Sequence, residues 1–125
     1  MNSNLKEKKD KYNKVVIAFN NKIDSLINNF EKCKLNNLDS IDTIVFKKYI
    51  ELGEVKKVSD YLNAEGYKVK TKTYLGCRKY GPNDITNILK NKQVEQWLID
   101  AVEEMKSIDK LLIKMSYKNL LNKYL

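Results

Sequence analysis

Apolar residues recur through the first third of the chain with helical spacing. Tyr12, Val16, Phe19, Ile23, Leu26, Phe30 and Cys33 step alternately by four and three, with Leu5 one heptad earlier. Val15 and Ile27 widen this seam, which predicts one long helix over residues 5–36. The other end of the chain repeats the pattern. Val94, Leu98, Ala101, Met105, Ile108, Leu112 and Met115 predict a second long helix over residues 93–124, broadened by Trp97, Val102, Leu111, Leu120, Leu121 and Tyr124. Each helix would be about 45 Å long at 1.5 Å per residue. That is too long to bury its seam against the 55 residues between them. The two helices need each other, or copies of themselves in a second chain. An intrachain antiparallel pair and a homodimer fit the pattern equally.

Between them the helical runs are shorter and the period changes once. Asp39, Ser40 and Asp42 are N-cap candidates ahead of Ile41, Ile44, Val45, Tyr49 and Ile50, a helix that ends near Gly53. Glu54 opens a second helix with Val55, Val58, Tyr61 and Leu62 inward, closed by Gly66. From Tyr67 the side chains alternate. Tyr67, Val69, Thr71, Thr73 and Leu75 share one face, and Lys68, Lys70, Lys72 and Tyr74 share the other, the pattern of a half-buried strand with a basic outer side. Gly76 turns the chain and residues 77–80 return as a second strand, giving a lysine-studded hairpin. Gly81 and Pro82 start a short helix, with Asn83 or Asp84 in its first turn. Ile85, Ile88 and Leu89 face inward there; Asn83, Thr86, Asn87 and Lys90 face outward. The fold class expected is therefore mainly α: a winged helix-turn-helix-like core with a small β-hairpin over residues 38–92. Residues 1–37 and 93–125 flank it as long terminal helices for packing or dimerisation.

Charge sharpens this picture. The 125 residues carry a formal net charge of +8, with 24 basic and 16 acidic side chains, and Arg78 is the sole arginine. Residues 66–92 alone hold a net +6, whereas residues 93–125 are neutral and 38–65 are net negative. Such localisation is the electrostatic footprint of a phosphate-binding surface. Lys106, Lys110, Lys114 and Lys118, spaced by four, form a ridge read as a solvated helix face.

Composition excludes much else. There is no histidine, so the commonest general base and metal ligand are missing. Cys33 and Cys77 cannot complete a zinc site alone. Cys33 reads as a small core residue, and no spacing of Ser, Lys or Asp suggests a nucleophile. Neither enzyme activity nor a cofactor is expected. The apolar run from Val15 to Phe19 is too short for a secretory signal, and the expectation is a cytoplasmic protein with reduced thiols.

Leu62-Asn63, Gly66-Tyr67, Ile85 and Ile88-Leu89-Lys90-Asn91 also carry a resemblance. The segment resembles the helix-turn-helix end of the recombinase domain of large serine recombinases, over about 30 residues. The resemblance implies a helix-turn-helix in which residues 82–91 enter the major groove. A single arginine cannot supply that family's catalytic arginine cluster, so it implies the DNA-binding module and not recombination.

The residues then divide by role. Asn87 can make the paired hydrogen bonds that adenine offers, Thr86 can touch a thymine methyl, and Asn83 and Lys90 can reach a base edge or phosphate. Lys68, Lys70, Lys72, Arg78 and Lys79 would neutralise phosphates, and Lys56 and Lys57 would touch the backbone. The expectation is a sequence-specific duplex-DNA binder, a homodimer, acting as a transcriptional regulator or an accessory factor of a phage, plasmid or mobile element. The alternative is a phage-encoded interaction module or inhibitor whose basic hairpin binds an acidic protein surface.

Overall fold

The computed structural model describes every residue except Met1, Tyr74 and Leu75. The described chain is mainly helical, with one small antiparallel sheet. Its elements are α1 (Ser3–Asn28), a 3-10 turn (Phe30–Cys33), α2 (Ile41–Leu52), α3 (Val55–Ala64), β1 (Val69–Lys70), β2 (Cys77–Arg78), α4 (Pro82–Asn91), α5 (Gln96–Lys114) and α6 (Tyr117–Tyr124). No helix among the described residues is long and apolar enough to cross a membrane.

Local chemistry explains most of the boundaries. The Asn2 side chain accepts from the Leu5 N–H at 2.9 Å and starts α1. Ser40 caps α2 through its hydroxyl oxygen, which accepts from the Thr43 N–H at 3.2 Å. Gly53 ends α2 in the left-handed region, at φ 77°, where a Cβ would be strained. Pro82 occupies the first position of α4, where its missing N–H has no helical partner to lose.

The continuous terminal helices predicted from the seams are each interrupted. α1 stops at Asn28, and the chain tightens into the 3-10 turn instead of running to residue 36. Asn28 and Asn29 are poor helix formers because their side chains compete for the backbone. Residues 93–124 are likewise not one helix. Lys92 turns left-handed at φ 54°, α5 begins only at Gln96, and Ser116 at φ 49° separates it from α6. The lysine ridge is cut by the same break, since Lys118 belongs to α6. The hairpin is also shorter than the alternation suggested. Two residues per strand pair, Val69 with Arg78 and Lys70 with Cys77.

The chain forms two compact units. One is Lys32–Glu103. Its centre is Ile44 and Val45 of α2, Val58 and Leu62 of α3 and Ile85 of α4, with Ile88, Leu89 and Tyr80 packed around them. Phe46, Ile50, Leu98, Ala101 and Val102 are buried too. Lys47 lies in this interior. Its ammonium donates to the Lys34 carbonyl and to Asp39 Oδ2, both at 2.9 Å, and straps the loop before α2 to that helix. Burial opposes ionisation of Asp39, but hydrogen bonds from Lys47 and the Asn36 N–H outweigh it and hold the carboxyl below its ordinary value. The other unit comprises Met1–Glu31 and Glu104–Leu125. Its residues Leu26, Met105 and Ile108 are buried, and Lys22 hydrogen-bonds the Ser107 hydroxyl.

Candidate nucleic-acid interface

The site is built on the Lys32–Glu103 unit. In α4 the full burial of Ile85, with Ile88 and Leu89 alongside, fixes which side of the helix meets solvent. Asn83, Asn87 and Lys90 are exposed. Thr86 is half-buried, and its hydroxyl donates to the Pro82 carbonyl at 3.1 Å, so its polar end is already engaged.

Lys68, Lys70, Lys72, Arg78 and Lys79 are all exposed on and beside the hairpin, and Val69 and Thr71 are half-buried. Thr71 N–H donates to the Gly76 carbonyl, and Gly76 N–H to the Thr73 carbonyl, each at 3.0 Å, closing the turn around Gly76 at φ 75°. Tyr74 and Leu75, assigned to opposite faces from their alternation, lie outside the described residues.

Two polar junctions tie this hairpin to the helices. The first is Asn63 at the end of α3. Its amide donates to the Tyr80 carbonyl at 2.9 Å and its oxygen accepts from the Tyr80 N–H at 2.8 Å. One side chain thus mimics a strand neighbour for Tyr80. The second joins β2 to α4. The two terminal nitrogens of Arg78 donate to the two carboxylate oxygens of Asp84, each at 2.7 Å. Asp84 Oδ2 also accepts from the Gly81 N–H at 2.8 Å, capping the start of α4. The hydrogen bond from Arg78, reinforced by that from Gly81, overcomes partial burial and lowers the Asp84 carboxyl to about 2. Arg78 is correspondingly raised, chiefly by its bond to Asp84. Burial, and then the nearby Asp84 charge, raise the Tyr80 phenol.

The cations differ in what they already hold. Arg78, read from the sequence as a phosphate ligand, has both arms on Asp84. Lys56 pairs with Asp60 at 3.4 Å and Lys57 with Glu54 at 3.8 Å, on exposed surface where such pairs are weak and exchangeable. Lys68, Lys70, Lys72, Lys79 and Lys90 make no ion pair among the described residues. The junction residues Asn63 and Asp84 escaped prediction as a pair of anchors. Asp84 showed only as a first-turn acid, and Asn63 only as half of a Leu-Asn pair.

Other chemistry is sparse. Among the described residues no group of three Cys, Asp or Glu side chains could hold a metal ion. Burial raises the Cys33 thiol above its ordinary value, despite the opposing charge of Lys47, which makes it a poor nucleophile. No family model, no curated protein and no solved structure matches the chain.

Proposed function

We propose that the Lys32–Glu103 unit binds double-stranded DNA with sequence preference, in the manner of a winged helix-turn-helix. The chain would serve as a transcriptional regulator or as an accessory factor of a phage, plasmid or mobile element. The observation that carries this reading is the set of five lysines, on the hairpin, beside it and on α4, that have no ion partner among the described residues. The Arg78–Asp84 bond joins β2 of this hairpin directly to α4. In this reading α4 enters the major groove, and Asn87 reads a base edge with Asn83 and Thr86 beside it. Lys68, Lys70, Lys72, Lys79 and Lys90 neutralise phosphates. Lys56 and Lys57 exchange their weak carboxylate partners for the DNA backbone as α3 crosses it.

Pairing of two copies belongs to the same proposal. Leu5, Tyr12 and Val16 continue the α1 seam yet remain exposed, as do Leu120, Leu121 and Tyr124 of α6. A two-fold pair would present two α4 helices to two half-sites.

Titration with duplex DNA over a range of salt tests the reading. For one bound unit, the five unpaired lysines predict a slope of log affinity against log salt of about −4.5, steepening to about −6.3 with the contacts of Lys56 and Lys57 included. Changing Lys68, Lys70 and Lys72 together to Glu should weaken all sequences alike. Asn87→Ala should mainly reduce preference for the favoured site. Absence of binding at low salt removes the DNA reading and favours an acidic protein surface as the partner.

A further inference from the structure

We propose that Arg78 is a positioning residue: paired with Asp84 it braces the hairpin against the start of α4 and leaves phosphate contact to the lysines. This rests on the DNA-binding reading for its consequence, though the brace itself exists without DNA.

Composition makes the position informative. The chain uses lysine for every other basic side chain, and a phosphate contact needs only a cation within reach. The one arginine stands where a planar fork is used as a fork. Its two nitrogens meet the two Asp84 oxygens at equal distances of 2.7 Å, and one of them also donates to the Lys79 carbonyl at 3.0 Å. A lysine could reproduce the charge but not the two-point orientation.

The hairpin needs such a tie. A ladder of two residue pairs is not stable alone in water. Asn63 holds the chain at Tyr80, beyond β2, and so fixes where the hairpin ends but not how it is turned. Arg78 supplies the second fixed point, inside β2 itself. Asp84 is anchored in turn by the Gly81 N–H at 2.8 Å, so the brace ends on the first turn of α4 and not on a loose side chain. The lysine-bearing strand is thereby oriented to the helix proposed to read bases. Removing the brace would leave every phosphate-binding charge in place but unaligned.

Two measurements on Arg78→Lys, Asp84→Asn and the double variant test this. The first needs no DNA: amide hydrogen exchange at Thr71 and Gly76 in the free protein. Each single change should speed exchange about tenfold, and the double variant should be no faster than either. The second is the salt dependence of duplex binding. Arg78→Lys should lower affinity about tenfold with the slope unchanged, whereas Lys70→Gln should lower the slope by about 0.9 and leave amide exchange as in the parent. Parental affinity and parental exchange in Arg78→Lys would overturn the brace. So would an Arg78→Gln variant that loses about 0.9 of slope with exchange unchanged, since Arg78 would then be a phosphate ligand. If the parent protein binds no DNA at all, the DNA reading falls, while amide exchange still decides whether Arg78 holds the hairpin.

Discussion

Lys47 illustrates how a charged side chain becomes part of the interior. It is 6% exposed, between Phe46 and the half-buried Lys48 in α2, and its ammonium is shared by a carbonyl and a carboxylate that is itself 7% exposed. Removing one partner of such a pair strands the other charge. Lys47→Ala should therefore lower unfolding stability by about 3 kcal/mol or more, measured by urea denaturation. A loss below about 1 kcal/mol would mean that Asp39 reaches water instead. Neither this strap nor the Asn63 clasp could be read from the sequence. Their partners lie 8, 13 and 17 positions away, beyond the reach of helical or strand periodicity. Ser40 and Gly53, by contrast, act within one turn of their own helix, and both were legible as a cap and a stop.

At the scale of elements, the period of apolar residues identified α2, α3 and α4 because each buries one narrow stripe in a shared core. The same signal overextended the terminal helices. The four-and-three steps pass unbroken through the 3-10 turn at Phe30, and beyond Ser116 the apolar side continues with Leu120, Leu121 and Tyr124, so apolar residues do not register a change of backbone. Alternation located the hairpin but not its length, since Lys72 continues the pattern after pairing has ended at Lys70. The outward face of α4 was legible from Ile85, Ile88 and Leu89. The bond that fixes the hairpin to it was not, because Arg78 looked like one more surface cation. The junction has its own acid signature. Asp84 is lowered from 3.8 to about 2, so the folded state binds its proton less readily than the unfolded state. Its contribution is fully present above the unfolded value and is lost as pH falls through the folded one. The denaturation midpoint should fall between about pH 4 and pH 2, and Asp84→Asn should flatten the curve in that window. An identical acid limb in the variant would show that other carboxylates set it.

At the scale of the whole molecule, α1 and α6 leave several large apolar side chains exposed, among them Leu5, Tyr12, Val16, Leu120, Leu121 and Tyr124, which the proposed pairing would cover. If they seat a second copy, sedimentation at micromolar concentration should give twice the 14.7 kDa chain mass. Replacing Tyr12 and Val16 with Lys should then give a monomer that is still folded. A monomeric parent protein would remove pairing from the proposed function while leaving DNA binding by a single Lys32–Glu103 unit intact.

The carboxylate at the head of α4 has one more consequence. Helix beginnings commonly cradle a small inorganic anion, but here the chain's own acid already fills that place. Under the proposed function, attraction would then come from ammonium groups spread over a surface, which favours long, many-charged competitors over compact ones. Heparin should displace a bound duplex at concentrations where sulfate acts only through ionic strength.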